Sequence, residues 1–213
     1  MTDIKIISGG QTGADQGGLK AAKDANLPTG GYAPRGYLTE NGADPSLKKY
    51  GLIDSNLNYV GRTALNAQLA DFTLWFGDAD SAGYIATQRE CKIARRPFIN
   101  VGWNGPYWIA EQIKKQTSAF ISDSICINIA GSRESKSPGL EKYVRKVLYQ
   151  TLLLYLRGYL NPNESDPYPC GNMIYGEKVL CELGHKSDCN DNTKKGLGCA
   201  VGFTRANYDE RRV

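Results

Sequence analysis

The stretch SGGQTGADQGG, Ser8 to Gly18, follows the short apolar run Ile4-Lys5-Ile6-Ile7 and leads into LKAAKDA. A β-rich run, a glycine-rich turn and a helix-forming segment, in that order, predict strand, tight turn and a helix near Asp15–Ala25. Gly9, Gly10 and Gly13 let the backbone turn sharply and approach another group closely. Gln11 and Thr12 add side-chain hydrogen-bonding groups, and amides at the helix start can point at an anion. No Gly-Lys-Ser/Thr follows, so the loop is not a Walker motif, and the glycine spacing is not GxGxxG. Taken alone, the stretch also fits a tight strand-to-helix turn with no ligand.

The same alternation continues along the chain. Tyr59–Ala70 is helical in pattern, and Phe72–Phe76 is a continuous apolar run of the kind found in strands buried on both faces. Ile85–Ala94 reads as a helix, Phe98–Val101 as a strand, Trp108–Lys115 as a short helix and Ile125–Ala130 as another buried strand. In the last helix Leu140, Tyr143, Val144, Val147, Leu148 and Tyr155 recur at helical spacing, with Ser137 placed to cap it and Pro138 in its first turn. Strands alternating with helices of this length predict an α/β fold, a parallel sheet covered by helices on both faces. Such sheets bind ligands at the carboxyl ends of their strands.

The loops expected at those ends carry polar groups. GGYAPRGY, Gly30–Tyr37, presents Arg35, whose guanidinium can grip a phosphate two-pronged. GRTALNAQLAD, Gly61–Asp71, sets Arg62, Thr63 and Asn66 at a helix start, where capping and ligand binding are both open. GDADSAGYIATQRE follows the Phe72–Phe76 run. In it Asp78 and Asp80 read as an ordinary turn, whereas Ser81 and Gly83 could form a second amide cradle. GSRESKSPG, Gly131–Gly139, gathers Ser132, Arg133, Glu134, Ser135 and Lys136.

Composition sets the outer bounds. The 213 residues are 41% hydrophobic and 23% charged, which suits one ordinary soluble domain with an appendage. A net charge of +4 suits an anionic small molecule, and without a dense Lys/Arg block it does not mark a nucleic-acid binder. No apolar run reaches a membrane span and MTDIKII lacks the layout of a secretory signal, so a cytoplasmic setting without membrane association is expected. The alternating pattern stops near residue 160, dividing a ligand-binding domain over 1–160 from a Cys-rich, loop-rich extension over 161–213. That extension holds one more acidic than basic residue, so the positive charge lies with the α/β part. Cys181, His185, Cys189 and Cys199, with Cys170 to spare, could share one structural zinc. Reduced thiols packed against the main domain, or disulfides in an oxidising setting, are the alternatives.

ISGGQTGADQGGLKAA, GGYAPRG, RTALNAQLADFTLWF and NIAGSRESKSPG occur in this order over roughly residues 1–158. Together they resemble the putative molybdenum carrier family, a circularly permuted branch of the SLOG superfamily. The resemblance implies a Rossmann-like three-layer fold and a pocket for a nucleotide-like or other phosphorylated ligand. It also implies a homo-oligomer, since many relatives assemble, and it makes molybdopterin-type cofactors or nucleotides the candidate ligands. Relatives include phosphoribohydrolases that release a base from a nucleoside monophosphate.

Enzymatic SLOG members show a Gly-Gly-x-Gly-Thr loop followed by a glutamate in the helix. Here the corresponding segment is SAGYIATQREC, with Tyr84 in place of a small Thr and Arg89 in the glutamate slot beside Glu90. Glycosidic cleavage needs a carboxyl group to assist an oxocarbenium-like transition state. The expectation is therefore a carrier, sensor or sequestering protein that binds without turnover. Its site would comprise Gly9, Gly10, Gln11, Thr12, Gly13, Asp15, Arg35, Arg62, Thr63, Asn66, Ser81, Gly83, Ser132, Arg133 and Ser135. The alternatives are a molybdenum-cofactor carrier and a phosphoribohydrolase with Glu90 or Glu134 as its acid.

Overall fold

The computed structural model describes residues 3–118 and 124–156, together with the backbone of two short strands at Met173–Tyr175 and Lys178–Leu180. Five strands form one sheet: β1 (Asp3–Ser8), β2 (Thr29–Gly30), β7 (Phe72–Phe76), β8 (Phe98–Gly102) and β9 (Ser124–Gly131). Their order is β2-β1-β9-β7-β8, and every neighbouring pair is parallel. The last of these five strands in the chain thus enters the middle of the sheet, with Ile127 opposite both Ile6 of β1 and Phe72 of β7.

Side chains alternate across the sheet and divide it into two faces. Ile4, Ile6, Phe72, Leu74, Phe76, Ile125, Ile127 and Ile129 form one core with helices α1 (Ala14–Asp24), α4 (Pro106–Thr117) and α5 (Leu140–Leu156). Helix α5 packs on both α1 and α4, while α2 (Tyr59–Leu69) and α3 (Ala82–Ile93) pack on each other. The α3 side is more polar: Thr73 Oγ1 accepts from Cys91 Sγ at 3.3 Å and from Asn128 Nδ2 at 3.2 Å, all three groups buried. The result is a Rossmann-like three-layer α/β fold.

Elements expected from the sequence stand within a few residues of their predicted bounds, and Phe72–Phe76 matches at both ends. Two local readings change. Ser137 does not cap α5; Glu134 does, accepting from the N–H of Glu141 at 2.9 Å and from the N–H of Gly139. Between β2 and α2 the chain forms two-residue strand pairs that carry no sequence period. These are β3 (Tyr32–Ala33) with β6 (Ile53–Asp54), and the hairpin of β4 (Leu38–Thr39) with β5 (Gly42–Ala43). They close over a small second core of Leu19, Ala33, Leu47 and Leu52. Among the described residues, no helix is long and apolar enough to cross a membrane. The predicted zinc ligands Cys181, His185, Cys189 and Cys199 lie outside the described residues, as does most of the extension.

Candidate functional site

Parallel strands β1, β9 and β7 end side by side, so the loops that follow them meet at one edge of the sheet. The loop from Gly9 to Gly13 is buried throughout, covered by its neighbours. Gly13 has φ 79°, and a Cβ there would stand 2.5 Å from the Ser132 carbonyl oxygen and 2.7 Å from the Glu134 nitrogen. Only glycine permits both that backbone conformation and that approach. Over Gly9 lies the guanidinium of Arg62, where a Cβ would collide with it.

Arg62 reaches there from the first turn of α2, and its Nη1 lies 3.1 Å from Asp15 Oδ2 in the first turn of α1. The side chains are 11% and 5% exposed, so this ion pair is largely withdrawn from water. Asp15 also accepts the Gln11 N–H at 3.2 Å. Burial pushes its carboxyl above the ordinary value, against the attraction of Arg62 and the hydrogen bonds from the Gln11 and Gly9 amides.

Gln11, 6% exposed, uses its Oε1 to accept the N–H groups of Thr12 at 3.0 Å and Glu40 at 2.9 Å. Two backbone donors fix which end of the amide is oxygen. Its Nε2 and the Nε of Arg62 are buried and find no acceptor among the described residues. Buried N–H groups left unpaired are costly, and two in one small region mark a place where an acceptor is wanted.

Glu40 stands at the tip of the β4–β5 hairpin. Its carboxylate accepts from Thr12 Oγ1, from Ser135 Oγ and from the Ser135 N–H at 3.1 Å. Partial burial works against its charge, but the Ser135 and Thr12 hydrogen bonds and the nearby Arg133 guanidinium outweigh it, and the carboxyl titrates below its ordinary value. Thr12 Oγ1 in turn accepts the Glu134 N–H at 3.4 Å. Three loops distant in sequence are thus fastened through one carboxylate.

The model of the circularly permutated YpsA SLOG family matches residues 6–152. The chain belongs to this family. It is also similar to the crystal structure of a putative molybdenum carrier protein from Syntrophus aciditrophicus, with 30% identity and a TM-score of 0.63. That match covers 71% of this chain and 96% of the other. No curated protein matches the chain significantly.

In this SLOG protein the predicted site residues fall into two groups. Gly9, Gly10, Gln11, Thr12, Gly13, Asp15, Arg62, Ser132, Arg133 and Ser135 come together at the strand ends. The opening loop does not offer its amides freely, however. Those of Gln11 and Thr12 go to the side chains just named, Ala14 N–H to the Ser132 carbonyl at 3.3 Å and Gln16 N–H to the Gln11 carbonyl at 3.1 Å.

The second group bonds within the scaffold and away from that cluster. Asn66 is buried and pairs both ways with the main chain of Tyr32, at 2.8 and 3.0 Å. Thr63 bonds to the Tyr59 carbonyl of its own helix, and exposed Arg35 clasps Asn56. Ser81 caps α3 by accepting the Tyr84 N–H at 3.1 Å, and Gly83 follows it inside that helix. Ser132 Oγ accepts the Asp78 N–H at 3.3 Å, which ties the β9 loop to the β7 loop.

Both candidate acids bond within the protein, Glu90 through one oxygen and Glu134 through both. Glu90 takes both an Nε and an Nη2 bond from Arg89, and it lies eight residues into α3, about 12 Å from the helix start at 1.5 Å per residue. Glu134 spends both oxygens capping α5. Glu40 is the residue that sequence reading missed: in LTENG it looks like an ordinary turn residue, and only the fold brings it to Thr12 and Ser135.

Proposed function

We propose that this SLOG protein binds a phosphorylated small molecule, nucleotide-like or pterin-like, and holds it without turnover. The observation that carries the reading is the convergence of Gln11, Thr12, Arg62, Arg133 and Ser135 at one sheet edge. The buried Gln11 Nε2 and Arg62 Nε there lack acceptors among the described residues. Hydroxyls, amide N–H groups and guanidinium are the donor set that suits a phosphate terminus. Binding without cleavage is supported by the engagement of Glu90 with Arg89 and of Glu134 with the α5 amides.

A molybdenum-cofactor carrier is the second reading, favoured by the name of the Syntrophus relative. Its cargo would be met through the same phosphate-binding groups, so the two readings differ in what lies beyond the phosphate. Native mass spectrometry of the purified protein separates them by the mass of the retained molecule. Incubation with AMP and GMP, followed by chromatography for free base, tests turnover. Base release that Glu90→Gln or Glu134→Gln abolishes would overturn the non-catalytic reading.

A further inference from the structure

The Gly9–Gly13 loop is buried on every side, so a ligand must displace something to reach it. The candidate covers differ in how firmly they are held. Arg62 is locked over Gly9 by a buried ion pair, and Gly13 is wedged against main chain of the β9 loop. Glu40 is different. It belongs to neither of the loops it fastens, and it projects from a hairpin whose Leu38, Asn41, Gly42 and Ala43 are all exposed. Besides the Glu40 N–H on Gln11 Oε1, its carboxylate is what pins the hairpin tip to Thr12 and Ser135.

The groups around that carboxylate are anion donors, the Thr12 hydroxyl and the Ser135 hydroxyl and N–H, and Arg133, two residues before Ser135, adds positive charge from the same loop. A phosphate oxygen accepts the same bonds and brings a charge of about −1.5 to −2 in place of −1. Beside them lies Gln11, more than nine-tenths buried, with an Nε2 that has no acceptor among the described residues. We infer that Thr12, Ser135 and Arg133 form a phosphate subsite which the Glu40 carboxylate fills as an internal stand-in, and that the ligand's phosphate displaces Glu40 and frees the hairpin. The inference rests on the reading that the ligand carries a phosphate, and it adds where that group sits and what must leave.

Two measurements test it with AMP and inorganic phosphate as probes, the pair separating a nucleotide phosphate from the free ion. Calorimetric titration compares the unmodified protein with Glu40→Gln, which keeps the side chain's size and removes its charge. Affinity for at least one probe should rise about tenfold, or ~1.4 kcal/mol, and Ser135→Ala added to Glu40→Gln should reverse the gain. Hydrogen exchange on the unmodified protein needs no variant: amides of Glu40–Ala43 should exchange faster when AMP or phosphate is bound.

Equal or weaker binding by a folded Glu40→Gln, or slower hairpin exchange on binding, would overturn the displacement while leaving the binder reading intact. A molecule found by native mass spectrometry that carries no phosphate would remove both. Binding by Glu40→Gln but not by the unmodified protein would support the stand-in directly. Failure of both proteins to bind either probe would overturn the subsite.

Discussion

Replacing Arg62 by methionine tests whether the Arg62–Asp15 pair organises the site. Methionine keeps an unbranched apolar stem over Gly9 and removes the guanidinium, leaving the Asp15 carboxylate 5% exposed with no cation opposite it. Breaking a buried pair from one side costs about 3–5 kcal/mol. At roughly 2–4 °C per kcal/mol for a chain of this size, the melting temperature should fall by about 6–20 °C near pH 7. The loss should also depend on pH. Burial already raises the Asp15 carboxyl above its ordinary value of 3.8, and Arg62 is the first of the influences that oppose burial. Without Arg62 the folded-state value rises further. A carboxyl raised on folding favours the fold in its protonated form, fully below 3.8, and that benefit is lost as pH rises through the folded value. The deficit of Arg62→Met should therefore shrink as the solution is acidified, and Asp15→Asn added to it should recover much of the stability at neutral pH. Urea unfolding followed by tryptophan fluorescence at pH 7.5 and 5.0 gives the numbers. A loss under about 1 kcal/mol at pH 7.5, typical of exposed pairs, or an equal loss at both pH values, would refute a buried, mutually dependent pair.

Gly13→Ala forces a side chain into φ 79° and against the main chain of Ser132 and Glu134, so thermal melting should show a loss of roughly 1–3 kcal/mol or more. Its ligand affinity should fall as well, because the β1 and β9 loops can no longer pack. The Glu40 clasp should follow its own titration: its contribution is complete above the ordinary value of 4.5 and is lost as pH falls through the lower folded-state value. Hydrogen exchange across Gly42 and Ala43 should accordingly stay constant from neutral pH down to about 4.5, after correction for intrinsic rates, and accelerate below it. Glu134→Ala should destabilise α5 by about 1 kcal/mol, as loss of an N-terminal cap does. The same variant should leave base release from AMP unchanged from the unmodified protein, as measured by chromatography.

The layout of the fold was legible because its strands are short apolar runs set between helical periods. Phe72–Phe76 is apolar at four of five positions since both faces of a central parallel strand are covered, and all five residues are buried. What escaped was the segment from Gly31 to Asn58, where two-residue strands are too short to show a period. Contacts made across the fold set that segment instead, such as Asn66 holding both main-chain groups of Tyr32. In the candidate site, which loops would meet was legible and which side chains would pair was not. Arg62 and Asp15 could each be assigned to the strand-end loops, but their pairing joins residues 47 apart in sequence. Glu40 lay hidden because a glutamate before Asn-Gly is what any surface turn offers. Its importance comes from partners 28 and 95 residues away.

The two carboxylates divide the labour in a way that bears on what the protein can bind. Asp15 is buried beside Arg62 and pairs with it, so on the proposed reading Arg62 would offer a ligand its buried Nε without a full unbalanced charge. Uncompensated charge attraction must then come chiefly from Arg133, which is exposed and stacks over the Tyr59 ring at 5.3 Å. Arg133 belongs to the same loop as Ser135, one of the donors that Glu40 occupies. A neutral acceptor forms weaker bonds with the Thr12 and Ser135 donors than a phosphate does, because hydrogen bonds to charged groups are roughly twice as strong. If Glu40 stands in for the ligand's phosphate as proposed, phosphorylated forms of a compound should bind more tightly than unphosphorylated ones, and that selectivity should weaken when Glu40 loses its charge.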